Sequence, residues 1–357
     1  MTPGITDVAA PVSELVIDLR AYRRNLALLC TRITPSQVMA VVKADAYGHG
    51  LLPIAKAAVD AGIGWLGALD TDTARELRAA GIDSTTGVFA WHLAPDEDYR
   101  AVIDSAIDLG VSTLDQLEGI ARSHASTTAR VHLKIDTGLH RNGASVQDWP
   151  GLVRRALELE SDGTIELYGV WTHIAEASYE EDSAAIRRFT NAITAAESLG
   201  ATFTLRHLAA SAAGFERADC RFDLVRFGAF GYGISPGGGV TAAELGLEPV
   251  MSLRSKVLAT DDGTAVIPLG FGDGISSRAT GRVSVLVDGA LRLIGELEPD
   301  RMIVVGEPVR PGTEAVLFGS GASGEWTLQQ WADATGTIGE EIVTRLHELP
   351  RRYLGEN

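Results

Sequence analysis

Lysine is scarce in this 357-residue chain: of 31 basic residues only Lys43, Lys56, Lys134 and Lys256 are lysines. Arginine supplies the charge elsewhere, so a lysine marks a place where the amine itself matters. Two of them close apolar runs, Lys43 after "QVMAVV" and Lys134 after "ARVHL". An amine at the mouth of a buried strand is a candidate nucleophile toward carbonyl compounds, because burial favours its neutral form. Further polar groups stand beyond these and other apolar runs: Tyr47 after the Lys43 run, Asp136 and Arg141 after the Lys134 run, then His173, His207, Ser211 and Arg226, with Gly228 close behind. Each has an ordinary structural role open to it. Lys43 can be solvated, His173 hydrogen-bonded in a core, Asp136 of "IDTG" a turn residue, Ser211 the N-cap of "SAAGFE", and Arg226 the partner of one of 47 acidic residues. Their common position after apolar runs argues for one shared face.

The elements that would position them are eight short apolar runs: "QVMAVVK", "IGWLGAL", "TGVFAW", "AIDLGVS", "ARVHLKI", "ELYGVWTH", "TFTLRHL" and "FDLVRFG". Segments with 3.6-residue periodicity lie between most of them, such as "LLPIAKAAVDAG", "DTARELRAAG" and "TLDQLEGIAR", several ending in glycine. Alternating strand and helix patterns imply parallel strands, and eight of them predict an α/β fold, a (β/α)8 TIM-type barrel over residues 15–240. The alternative, a doubly wound open sheet, lacks a G-x-G-x-x-G opening its first helix. Past the glycine-rich "GYGISPGGGV" the pattern changes to short β-branched runs with turn signals, among them Asp288-Gly289. Residues 241–357 therefore read as a smaller, mostly antiparallel β domain closed by helices at "TLQQWADATG" and "GEEIVTRLHEL", with residues 1–14 packing with it. Barrel enzymes carry their chemistry at the carboxyl ends of the strands, where the polar residues above fall.

A net charge of -16 disfavours nucleic acid and anionic membranes as partners and favours small molecules. Two cysteines, Cys30 and Cys220, make no disulfide framework. No basic leader and no apolar run near the roughly 18 residues of a membrane span is present, so a soluble, cytoplasmic protein is expected.

Two chemistries compete for the polar face. His140, His173 and His207 could meet around a metal, but neither H-x-H nor H-E-x-x-H spacing occurs, so no metal is expected. A lysine able to form a Schiff base, together with Ser, Tyr and the backbone N–H groups around "RFGAFGYG", suits a phosphorylated aldehyde, pyridoxal 5'-phosphate.

The motifs "AVVKADAYGHG", "KIDTGLHRNG", "THIAEAS", "RHLAASAA" and "FDLVRFGAFGYG" resemble, in order and spacing, those of the alanine racemase family of fold-type III pyridoxal-phosphate enzymes. The resemblance implies that Lys43 holds the cofactor as an imine and acts as the base on one face of the substrate. It implies cofactor contacts from Tyr47, His173, Ser211, Arg226, Gly228, Ala229 and Tyr232, with Tyr47, Ser211 and the Gly228 and Ala229 backbone on the phosphate. Arg141 and Asp300 would serve the substrate, and Lys134 matches a position that the family often carbamylates. Arg226 would face the pyridine nitrogen, and a group that stays protonated there weakens the ring as an electron sink. A small amino acid as substrate and a head-to-tail homodimer are implied as well.

Departures concentrate in the C-terminal domain. The family's second catalytic group is a tyrosine in a G-Y-[AG]-D-G motif, and "PLGFGDG" here places Phe271 at that position. The family's R-x-x-M-D appears as "ELEPD", with Glu296 for the arginine and Pro299 for the methionine. His347 stands where the family supplies a phosphate-binding tyrosine. Phenylalanine exchanges no proton, and a positioned acid or base is worth about 10² to 10⁴ in rate. The expected function is therefore racemisation of alanine or a related small amino acid, with His140 or His347 as substitute acids. A one-base enzyme using Lys43 alone (retro-aldolase, decarboxylase or α-proton exchanger) and a cofactor-holding partner subunit are the alternatives.

Overall fold

A short strand, β1 (Glu14–Asp18), and the helix Leu19–Ile33 precede eight runs that become parallel strands. They are β2 (Gln37–Val41), β3 (Trp65–Asp70), β4 (Gly87–His92), β5 (Asp108–Val111), β6 (Ala129–Lys134), β7 (Ile165–Trp171), β8 (Leu205–His207) and β9 (Leu224–Phe227). In the computed structural model, which describes residues 12–261 and 263–356, they close into a barrel in sequence order, β9 pairing back onto β2 with Met39 opposite Arg226. This is the fold class that the sequence pattern predicts.

The crossover helices follow from local chemistry. The helix Leu51–Asp60 buries Leu51, Ile54, Ala55 and Ala58, the i, i+3, i+4, i+7 stripe of a helix lying on a sheet. The helix Thr71–Ala79 begins at Asp70, whose carboxylate accepts from Thr73 N–H at 2.7 Å. Such a cap stabilises a helix by about 1 kcal/mol. Inside the barrel, Met39, Trp65, Phe89, Trp171, Leu205 and Leu224 form one buried cluster, with Trp91 and Tyr168 packed against it. Burying side chains of this size contributes about 2–3 kcal/mol each.

The chain divides into two compact units. One comprises Arg23–Ala46 and Leu51–Gly231 and contains the barrel. The other takes residues 12–22, Tyr47–Gly50 and 232–356. Its strands are β1, β10 (Met251–Lys256), β11 (Ala259–Asp261), β12 (Thr264–Ile267), β13 (Ser284–Val287), β14 (Ala290–Leu297), β15 (Met302–Val305), β16 (Glu314–Phe318) and β17 (Arg351–Leu354). They form a nine-stranded sheet in the order β11-β12-β15-β14-β13-β16-β10-β1-β17, every pair antiparallel except β1–β17. The Asp288-Gly289 signal is the β13–β14 turn, and both residues have positive φ, 52° and 74°, as a two-residue hairpin turn requires. The helices Leu328–Thr335 and Gly339–Arg345 follow β16. The expectation that residues 1–14 join this unit falls partly on residues 1–11, outside the described residues; Ser13 does join it, its Oγ lying 2.8 Å from Ser255 Oγ. Among the described residues, no helix is long and apolar enough to cross a membrane.

Candidate active site

Lys43 follows β2 and opens a turn of unusual hand. Ala44, Asp45, Ala46 and Tyr47 have φ of 52–54°, the left-handed region that costs an L-residue roughly 1–2 kcal/mol each. Two interactions hold it. Ala46 N–H donates to Val42 O at 2.9 Å, and Asp45 accepts from Leu51 N–H at 2.7 Å, satisfying the first N–H of the following helix. Strain kept in place by such bonds is typical of functional turns.

The strand ends bring four cationic groups to bear on one imidazole. His173 is pushed down to about 2, first by burial, then by Arg226, Arg141, Lys134 and Lys43. It is neutral at any ordinary pH, and its Nδ1 accepts from Arg226 Nη2 at 3.0 Å. Arg226 is buried, donating from Nη1 to His207 Nδ1 at 3.1 Å and from Nη2 also to Thr172 O at 2.9 Å and Leu208 O at 3.0 Å. Burial lowers it to about 9, with Glu176 pulling up and Arg141 pushing down. It thus remains protonated near neutrality, although no carboxylate among the described residues lies within ion-pair distance of it.

Lys134 ends β6, buried, with Nζ 4.3 Å from the Trp171 ring centroid. Burial lowers it to about 7, helped by Arg226 and Arg141 against Asp136. A substantial share of these amines is therefore neutral near pH 7. Asp136 accepts from Gly138 N–H at 2.9 Å and His140 N–H at 3.2 Å, and its Oδ2 lies 3.0 Å from His140 Nδ1. It is the turn residue that its motif suggests, and it holds the loop carrying the exposed Arg141. His140 is itself exposed and turned to Asp136. Ser211 lies inside the first turn of the helix Ser211–Glu216, whose cap is Ala210; its Oγ accepts from Gly228 N–H at 3.2 Å instead. Ala229 follows, buried. Histidines 140, 173 and 207 do not share a ligand point: His207 is taken by Arg226 and His132, and His140 by Asp136. Among the described residues, no three His, Cys, Asp or Glu side chains are grouped to hold a metal ion.

In the other unit, Tyr47 and His49 pack on the buried Tyr232, ring centroids 4.9 and 4.6 Å away. Burial, then Glu340, raises the Tyr47 phenol well above its ordinary range. Gly48 lies so close to Val343 O, and Gly50 to the Tyr353 hydroxyl, that neither has room for a Cβ. Phe271 begins the turn Phe271–Asp273 with 49% of its surface exposed, enough to leave the ring edge open to a ligand or a partner. Asp300 is exposed beyond β14, and His347 is exposed after the helix Gly339–Arg345.

One neutral histidine under the influence of four basic side chains marks a site rich in positive charge. That donor set fits an anionic, phosphorylated carbonyl compound, with an amine for the carbonyl and hydroxyl and N–H donors for the phosphate.

Two family profiles cover most of the chain: "Alanine racemase, N-terminal domain" matches residues 17–236, and "Alanine racemase, C-terminal domain" matches 251–353. The chain belongs to the alanine racemase family. An alanine racemase of Salinispora arenicola is 40% identical over 96% of this chain and 99% of its own length. One from Beutenbergia cavernae is 41% identical over 96% and 98%. The crystal structure of the alanine racemase from D-cycloserine-producing Streptomyces lavendulae superposes with a TM-score of 0.94 at 38% identity, covering 98% of both chains. Family membership thus extends through the C-terminal domain that holds Phe271.

Three residues bound to this site were not among the sequence candidates: His132, Asp108 and Arg130. Their signal was available in "ARVHLK", where Arg130, His132 and Lys134 alternate with Val131 and Leu133 and so share one strand face.

Proposed function

We propose that this alanine racemase family member is a pyridoxal-phosphate-dependent amino-acid racemase that interconverts L- and D-alanine or a related small amino acid. The observation that carries the proposal is the Arg226–His173 contact at 3.0 Å, with the charges of Arg141, Lys134 and Lys43 acting on the same imidazole. When bound, pyridoxal phosphate supplies an electron sink for negative charge at the substrate α-carbon. Lys43 Nζ would carry the covalent link and serve as the base for the α-proton. Ser211, Tyr47 and the backbone N–H groups of Gly228 and Ala229 would hold the phosphate, with Tyr232 as a further cofactor contact. His173 and Arg226 would hold the ring, and Arg141 and Asp300 the substrate. Arg226 is fixed by four acceptors and still protonated, so it donates hydrogen bonds without releasing a proton. That favours removal and return of one proton over reactions that need a strong sink. The partly neutral Lys134 amine is open to carbon dioxide, and carbamylation there would replace a repelling cation by an anion beside Arg141. A head-to-tail homodimer in a cytoplasmic setting belongs to the same proposal.

Phe271 favours a second reading. If it occupies the place of the family's catalytic tyrosine, the second face of the substrate lacks its acid, and Lys43 alone exchanges the α-proton with retained configuration. Incubating L- and D-alanine separately in deuterium oxide with cofactor-loaded protein tests both, by NMR and chiral chromatography. Formation of the opposite enantiomer supports racemisation. Exchange of one enantiomer without inversion supports the one-base reading. Neither process across a panel of small amino acids contradicts both.

A further inference from the structure

Beneath Arg226 a line of polar side chains crosses the apolar interior of the barrel. His207 Nδ1 lies 3.1 Å from Arg226 Nη1, and His207 Nε2 lies 3.0 Å from His132 Nδ1. His132 Nε2 lies in turn 3.1 Å from Asp108 Oδ2, which also meets Arg130 Nη2 at 3.2 Å. His207 closes β8 and Asp108 opens β5, so the line runs from the carboxyl ends of the parallel strands to their amino ends. Both histidines are 0% exposed and Asp108 is 1% exposed. Around them stand rings: Phe89 is 4.8 Å from His132 between centroids, and Trp171 stacks on His207 at 6°.

Donor chemistry gives this line one direction. A guanidinium has no acceptor, so His207 Nδ1 must accept from Arg226. The His207 proton then sits on Nε2 and is donated to His132 Nδ1. With Nδ1 occupied as an acceptor, His132 carries its proton on Nε2 and donates it to the Asp108 carboxylate. No other placement satisfies every contact. We infer that Asp108 is a positioning residue for Arg226, acting through His132 and His207 held as Nε2–H tautomers.

Three polar groups in an aromatic interior would be less stable than apolar groups of the same shape unless all were satisfied. Here all are satisfied, and the line ends at a carboxylate whose other ion-pair partner among the described residues is Arg130, which itself stacks on Tyr168 at 3.8 Å. The arrangement fixes the orientation of a buried guanidinium that has no carboxylate of its own. It acts as the aspartate of a catalytic triad acts on its histidine, by fixing tautomer and orientation. The effect on turnover rests on the proposed role of Arg226; the tautomer line does not.

Nitrogen-15 labelling of the eight histidines and two-bond proton–nitrogen correlation of the full chain, without and with added pyridoxal phosphate, tests the inference. His132→Gln and His207→Gln assign the signals. Both residues are expected to show protonated Nε2 and bare Nδ1 in either condition. A proton on Nδ1 of either ring, or two protons on either, overturns the proposal. In Asp108→Asn, whose amide can donate as well as accept at His132 Nε2, the His132 pattern is expected to become mixed, and kcat to fall about tenfold or more with KM within about twofold, since only geometry toward the reacting atoms is lost. An unchanged His132 pattern in folded Asp108→Asn overturns it as well. Protein that binds no cofactor yet shows the tautomer line would contradict the racemase proposal and leave this one standing.

Discussion

Phe271 and Glu298 are joined backbone to backbone, the Phe271 N–H donating to Glu298 O at 3.0 Å, and the next pair repeats the contact, Gly272 N–H to Pro299 O at 2.8 Å. The segments "GFGDG" and "ELEPD" are therefore one local structure. The backbone carries the contact, so the aromatic side chain is free to vary.

Phe271→Tyr should accordingly fold normally and add a hydroxyl at a half-exposed ring. If Phe271 stands in the place of the second catalytic group, racemisation of L-alanine, followed by chiral chromatography, rises by about 10²-fold. An unchanged rate would show that the hydroxyl does not reach the substrate. Glu296→Arg and Pro299→Met, added together, should raise the rate further if this segment also serves the substrate, since Pro299 lies against the turn and Glu296 ends β14 just before it.

Gly270 makes the same contact sterically strict. A Cβ there would strike the carbonyl oxygens of both Glu298 and Pro299, backbone atoms that cannot turn aside. Gly270→Ala is expected to lose about 2–4 kcal/mol in urea unfolding. Gly151, in the helix Trp149–Ser161 with nothing within 4 Å of its Cβ direction, is the control. Gly151→Ala should gain up to about 1 kcal/mol. Equal responses at the two sites would contradict the close approach.

Lys134 makes stability depend on pH. Its folded value near 7 lies below the ordinary lysine value, so between the two the unfolded chain binds more protons than the folded one. Stability contributed at this site therefore rises as pH climbs from about 7 and is lost on acidification toward 7. From pH 7 to 8, below the window in which Arg226 adds its own effect, wild type should gain at most about 1.4 kcal/mol relative to Lys134→Met. Urea titrations at the two pH values check it, and parallel slopes for both proteins would refute a depressed lysine.

Much of this architecture was legible in the residues. Parallel strands covered on both faces read as unbroken apolar runs, and all eight barrel strands fell on such runs. Lys43 stood out by scarcity, and Arg226 and His173 by standing at strand ends. The left-handed turn at Ala44–Tyr47 was not legible, because its alanines and tyrosine carry no sign of positive φ and a single aspartate is only a weak one; bonds to Val42 and Leu51 hold it. Asp108 was hidden for a related reason. In "AIDLGVS" it resembles a solvated residue at a strand start, and its burial depends on β6, which brings His132 and Arg130 to it from more than twenty residues away. His132 lies within its strand rather than at the end, where chemistry is first sought.

The central claim is that Lys43 forms a covalent bond to pyridoxal phosphate in the barrel. Reconstituting the protein with the cofactor, reducing with borohydride and mapping peptides by mass spectrometry tests it directly. The account predicts one stable pyridoxyl adduct, on Lys43, absent from Lys43→Ala. Colourless protein without an adduct, or an adduct distributed over Lys56, Lys134 and Lys256, would contradict it.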